Sequence, residues 1–169
     1  MSTLLTERLE IRPFCLEDAP FILRLLNEPS FVQNIADKGV RTLAQARTYL
    51  SEGPLASYAA HGHGLWMVLD RETGAALGMC GLIRRSSLPE PDLGYAFVPE
   101  AWGRGYAREA AAACLAWGRA RLGLSIVLAI VSPANTASIR LLAALGFERT
   151  GAQEAAPGDW VEVYRMSLP

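Results

Sequence analysis

Residues 92–110 read Asp-Leu-Gly-Tyr-Ala-Phe-Val-Pro-Glu-Ala-Trp-Gly-Arg-Gly-Tyr-Ala-Arg-Glu-Ala, the stretch that most constrains how the chain can fold. Its apolar, aromatic-rich opening predicts a strand, and Pro99, which has no N–H, ends the ladder. Gly103 and Gly105 predict a turn, and the Ala-, Leu- and Arg-rich run from Ala107 to Leu122 predicts a helix. A glycine turn that opens a helix leaves the first N–H groups unpaired. With no Cβ atoms in the way, an anion can reach that backbone, and the helix dipole favours its charge. The segment therefore predicts a phosphate site, although a plain strand-to-helix turn would carry the same pattern. The dinucleotide fingerprint needs Gly or Ala where Arg108 stands, and the Walker pattern needs Gly-Lys-Ser/Thr, so neither fits.

A second stretch, residues 132–147, reads Ser-Pro-Ala-Asn-Thr-Ala-Ser-Ile-Arg-Leu-Leu-Ala-Ala-Leu-Gly-Phe. With both stretches in view, the chain resembles the GNAT superfamily of N-acetyltransferases, whose acetyl-CoA loop is written Q/R-x-x-G-x-G/A. Gly103, Arg104, Gly105 and Tyr106, followed by Ala107, match the later positions of that loop. The first position departs, with Trp102 in the lead-in. Trp-Gly-x-Gly-Tyr-Ala, Asn-x-x-Ser and a terminal Gly-Phe together are similar to the branch that acetylates ribosomal proteins at N-terminal alanine or serine. The resemblance runs from Leu9 to Leu168.

At 169 residues, 51% hydrophobic and 20% charged, the chain has the make-up of one domain, residues 1–169, with a full core. A net charge of -1 without runs of like charge predicts neither a nucleic-acid footprint nor a polybasic membrane patch. Cys15, Cys80 and Cys114 are odd in number, widely spaced and in apolar contexts, so reduced core thiols are expected, and no metal. No apolar signal-like region or membrane-length run is present, which predicts a cytoplasmic protein.

Arg8 to Phe14 alternates like a half-buried strand, with Pro13 at its end or edge. Phe21, Ile22, Leu25 and Leu26 form a helical stripe behind Glu17 and Asp18, closed by Glu28-Pro29. Phe31 to Ala36 is a short helix or a loop. Thr42 to Gln45 is a capping box opening a helix towards Tyr58, kinked or interrupted at Pro54. His61 and His63 are expected as solvated loop residues. Leu65 to Leu69 and Ala76 to Ile83 predict a hairpin. Ser125 to Val131 predicts a buried parallel strand, Asn135 to Leu145 a helix ended by Gly146, and Arg149 to Glu154 with Val161 to Ser167 a closing hairpin. The sum is a mixed α/β sheet with an antiparallel front half, one strand-helix-strand crossover and helices on both faces. The resemblance sharpens this to a mostly antiparallel GNAT-like sheet of about seven strands around a central, splayed parallel pair.

The resemblance also implies the chemistry: acetyl transfer from acetyl-CoA to a primary amine in a direct ternary complex. The amine would be a protein or peptide N-terminus of the ribosomal-protein type. The alternatives are a small-molecule amine or a non-catalytic acyl-CoA-binding module. Either a monomer or a homodimer would serve. The implied cofactor holders are Trp102, Gly103, Arg104, Gly105, Tyr106 and Ala107 for the pyrophosphate, with Arg108 adding charge. Phe97 and Val98 at the strand end, with Asn135 and Ser138 beyond the other strand, are implied for the pantetheine arm. Asn135 is equally a good helix N-cap. Ser138 is implied as proton donor to the sulfur, directly or through water, because the tyrosine common in the superfamily is replaced by Leu142. Glu154 matches the branch's proposed base, with Asp92 and Glu90 as competitors, each also readable as a solvated hairpin carboxylate. Phe31 to Val40 is implied as a wall of the acceptor cleft. Tyr95, Trp66 and Trp160 either line that cleft or are core aromatics.

Overall fold

Eight strands form one sheet in the computed structural model, which describes residues 2–169. They are β1 (Leu4–Leu5), β2 (Leu9–Pro13), β3 (Leu65–Asp70), β4 (Ala76–Ile83), β5 (Asp92–Phe97), β6 (Ile126–Val131), β7 (Glu148–Ala156) and β8 (Asp159–Ser167), in the order β1-β2-β3-β4-β5-β6-β8-β7. The strand beyond the expected seven is β1, two residues long and too short for any alternation to declare it.

Among the described residues only β5 and β6 run parallel, and their register holds a single pair, Asp92 with Leu128, where the Leu128 N–H donates to the Pro91 carbonyl at 2.9 Å. Beyond that point the two strands separate. On its other edge β6 is paired with β8 from Ile126 to Val131, so the opening is confined to the β5 side.

The helices follow their local chemistry. Pro29 starts α2 (Pro29–Asn34) at a position where a missing N–H costs nothing, after α1 (Ala19–Leu26). Thr42 and Gln45 cap α3 (Leu43–Leu50) reciprocally, with N···O distances of 3.2 and 3.1 Å. Pro54 cannot donate to the helical ladder, and one wide turn, Ser51–Leu55, absorbs it before α4 (Ala56–His61). Next, α5 (Tyr106–Leu122) opens behind Gly105 and closes on Gly123, both at positive φ, and α6 (Thr136–Leu145) closes on Gly146.

Both faces of the sheet are covered, since Trp66, Met67 and Val68, of alternating parity, are all buried in β3. The α5 helix lies over β2, β4 and β5. On that face Trp66, Cys80 and Tyr95 stand side by side across β3, β4 and β5. There the Trp66 ring meets Trp117 edge-on at 4.7 Å, worth about 0.5–1.5 kcal/mol beyond area burial. The neighbouring Cys114 thiol, together with burial, pushes the Cys80 thiol well above the usual thiol range.

Two expectations are corrected. His63 is buried, its Nδ1 at 2.7 Å from the Leu82 carbonyl, and only His61 is exposed. Cys15 is an exposed thiol ahead of the first helical turn, while Cys80 and Cys114 are buried.

Where β4 passes β3 most closely, a Cβ on Gly81 would lie 2.1 Å from the Gly64 carbonyl oxygen. Backbone cannot yield as a side-chain tip can, so Gly81→Ala is expected to cost about 2–3 kcal/mol in urea unfolding. Gly151→Ala, which meets open space, should stay within about 0.5 kcal/mol of the parent.

Candidate active site

The glycine turn is held open by positive φ, +70° at Gly103 and +79° at Gly105, conformations that side-chain-bearing residues rarely adopt. It is also braced from the far end of the chain. Arg8 donates from Nη1 to the Arg104 carbonyl at 2.7 Å and from Nε to Glu109 Oε2 at 2.8 Å. Glu109, in the first turn of α5, also accepts from the Arg8 backbone N–H at 2.9 Å and the Thr6 hydroxyl at 2.6 Å. The guanidinium groups of Arg8 and Arg104 lie 4.6 and 4.9 Å from the Tyr106 ring centroid, and the Tyr106 hydroxyl donates to Asp70 at 3.2 Å. Burial pushes the Glu109 carboxyl up, but the donors from Thr6 and Arg8 outweigh it and leave the group below the usual glutamate range.

A cleft of about 380 Å³ extends from this turn into the opening between β5 and β6. Trp102, Gly103, Gly105, Tyr106, Ala107 and Arg108 line it from the turn; Tyr95, Ala96 and Phe97 from β5; Asn135, Ala137, Ser138 and Leu141 from α6. Ser30, Phe31, Asn34 and Ile35 close the remaining wall, so part of the segment from Phe31 to Val40 does reach the cleft. Among these lining residues Arg108 alone carries a full charge.

At the strand end the two expected residues part ways. Phe97 lines the cleft, and its carbonyl accepts from the Trp102 indole at 3.0 Å. Val98 is buried outside the lining, and its N–H donates to the Leu77 carbonyl at 2.9 Å. Asn135 Oδ1 accepts from the Ser138 N–H at 3.2 Å, so Asn135 caps α6 and borders the cleft at once. The Ser138 hydroxyl lies 2.5 Å from that of Tyr95, whose phenol is pushed up to about 12 by burial, against the lowering effect of Ser138.

Other expected site residues fall elsewhere. Arg104 sits outside the cleft, over Tyr106. Glu154 is exposed, and its Oε1 accepts from the Gly158 N–H at 2.7 Å, so its carboxylate closes the turn of its own hairpin rather than facing the cleft. Asp92 is buried against Arg85, at 2.9 and 3.1 Å, and burial pushes its carboxyl up despite that guanidinium. Three residues before Tyr95, Asp92 belongs to the opposite face of β5. Glu90 is also outside the lining. Trp66 is a core aromatic, Trp160 an exposed one, and Leu142 is buried beneath α6. Sequence reading did not find Arg8. Glu109, in the first turn of α5, was not singled out either, since nothing local pairs it with a residue 101 positions away.

The geometry is a glycine turn opening a helix beside a cleft whose one charged lining residue is Arg108, with a paired hydroxyl at its wall. Residues 8–148 match the family model of the acetyltransferase (GNAT) domain, and the chain belongs to that family of N-acetyltransferases. The protein p20 of Bacillus licheniformis, named an N-acetyltransferase, is 31% identical over 173 residues, covering 99% of this chain and 96% of its own. An acetyltransferase structure from Agrobacterium tumefaciens superposes with a TM-score of 0.84 at 29% identity, covering 99% of this chain and 95% of that one. The fold is shared, at 16% identity and a TM-score of 0.83, with RimL, a ribosomal-protein α-N acetyltransferase solved in complex with coenzyme A; 99% and 98% of the two chains are covered.

The Glu109 brace sets a pH dependence. Its folded-state pKa is depressed, so its stabilisation is present above the ordinary glutamate pKa of 4.5 and is lost as pH falls through the lower folded value. At pH 7, Glu109→Gln should unfold more easily than the parent by roughly 1 kcal/mol. That gap should close in thermal melts taken progressively below pH 4.5.

Proposed function

We propose that this acetyltransferase uses acetyl-CoA as donor and the α-amine of a protein or peptide N-terminus as acceptor, within one domain and without an acetylated enzyme. The observation that carries the acceptor assignment is the composition of the cleft, neutral apart from Arg108. An amine must be unprotonated to attack, and a cleft lined this way offers no carboxylate to deprotonate it. An α-amine, with a pKa of 7.7–8.0, is about one-third neutral near pH 7.5, while an alkylamine near 10.4 is about 0.1% neutral. A multiply charged polyamine would in addition find no counter-charge on these walls.

The residues present fit acetyl-CoA. The turn presents helix-start N–H groups beside Arg108, which suits a pyrophosphate, and Phe97, Asn135 and Ser138 offer polar groups along the passage. When bound, acetyl-CoA supplies the thioester: the amine nitrogen bonds to the acetyl carbon, the C–S bond breaks, sulfur takes its electron pair and a proton, and the amine releases a proton to water. Ser138 holds a hydroxyl proton at the wall of the passage for that sulfur. Direct transfer is supported by the state of the thiols. Cys80 is buried, its thiol pushed well above the usual range by the Cys114 thiol and by desolvation, and none of the three cysteines lines the cleft.

Thiol release from acetyl-CoA across N-terminal dipeptides and spermidine at pH 7.5 tests the acceptor. Dipeptides beginning with alanine or serine should exceed spermidine at least tenfold in kcat/KM, and the reverse order would overturn the assignment. For the donor, Gly105→Val should weaken CoA binding in calorimetry by tenfold or more, since a branched residue disfavours the φ of +79° that shapes the turn. Unchanged affinity in a folded variant would count against this turn as the phosphate site.

A further inference from the structure

The mouth of the cleft contains one short contact between elements far apart in sequence: the Tyr95 hydroxyl, from β5, and the Ser138 hydroxyl, from the first turn of α6, are 2.5 Å apart. Tyr95 lies three residues beyond the pair that joins β5 to β6, and both Tyr95 and Ser138 line the cleft. In a hydroxyl pair one oxygen donates and the other accepts, so the direction of the bond fixes where the remaining proton points. Burial settles which phenol species takes part. Tyr95 is pushed up to about 12, so it carries its proton throughout the neutral range. Cys80, beside Tyr95 on β4, is pushed well above the usual thiol range by the Cys114 thiol and by burial, and Arg108, which lines the same cleft, is a permanent cation.

We propose that Tyr95 is a positioning residue for Ser138: its phenolic O–H donates to Ser138 Oγ, so that the Ser138 hydrogen is directed into the cleft. Ser138 alone would be a rotor with several hydrogen positions, including one back towards its own helix carbonyls. With its lone pair engaged by Tyr95, the hydroxyl becomes an oriented donor. A phenol from β5 thereby serves a site in which the α6 position four residues after Ser138 is the buried Leu142. This rests on the reading of Ser138 as the group facing the thioester sulfur.

The test uses Tyr95→Phe, Ser138→Ala and the double variant, with turnover and CoA affinity measured on each. Tyr95→Phe is expected to lower kcat about tenfold while KM for acetyl-CoA stays within about twofold, and the double variant should be no slower than Ser138→Ala alone. A second readout needs no turnover. An oriented donor stabilises a thiolate over a thiol, so CoA affinity in the parent should rise between pH 7 and 9, through the ordinary thiol range near 8.5, and flatten in both single variants. If Ser138→Ala lowers kcat and flattens the slope while Tyr95→Phe retains parental values for both, the Tyr95 role is overturned and the Ser138 reading stands. If Ser138→Ala retains both, the two fall together. A Tyr95→Phe protein that loses kcat and CoA affinity in equal measure would show a purely structural role and would also overturn the proposal.

Discussion

The site depends on a contact made once and then abandoned. Parallel neighbours normally share a ladder along their length, yet β5 and β6 share only the pair at Asp92 and Leu128. Closing the remaining gap would add backbone hydrogen bonds, so something must hold the strands apart. On one side β6 is committed to β8 across six residue pairs, and on the other β5 is committed to β4 from Asp92 to Phe97. Each strand is paired along its outer edge, while the inner edges share only the Asp92–Leu128 pair. The cleft lies beyond the last shared pair, and Asp92 belongs to that pair rather than to the cleft lining.

A gap of this kind is useful only if the polar groups at its rim keep their positions. Gly103 and Gly105 give the turn its path, but glycine brings freedom as well as permission, and a flexible loop would lose its geometry. The counterweight is the brace from Arg8 to the Arg104 carbonyl and Glu109, which ties the loop and the first turn of α5 to the chain just ahead of β2. Two cations near one ring would repel each other, and Glu109 compensates at close range. Since Arg8 is part-exposed, solvent screens the ion pair, and the stabilisation resides more in the bonds to buried or oriented acceptors than in net charge.

What could be read from the sequence was what is local. The capping box at Thr42 and Gln45, the proline that interrupts the helix after Leu50, and the strand, glycine turn and helix from Asp92 onward all follow from residues within one or two turns of each other. They appear in the structure within a few positions of where they were expected. What escaped was tertiary. Arg8 with Glu109 and Tyr95 with Ser138 join residues 101 and 43 positions apart, and neither pattern nor propensity encodes such a partner. Val98 and Glu154 lie outside the cleft lining for a related reason. Sequence places them in the right segment, but their polar groups are engaged by Leu77 and Gly158, a choice that only the folded neighbourhood makes.

On the proposed reading, the neutrality of the cleft and the protonated state of its hydroxyls are one design. A carboxylate among Phe31, Ile35 and Leu141 would carry a desolvation cost with no donor on these walls beyond Arg108 to offset its charge, and none lines the cleft. Leaving deprotonation to solvent restricts the enzyme to amines that are already substantially neutral, and it frees the wall for apolar contact with an acceptor side chain. Catalysis then rests on holding the reactants together, where orientation can contribute on the order of 7–11 kcal/mol in favourable cases, against roughly 3–5 kcal/mol for a positioned proton. Misplacing the turn by a fraction of an ångström should therefore matter more than removing a hydroxyl. That ordering matches where the structure puts its strongest bracing, at Arg8 and Glu109 rather than around Ser138.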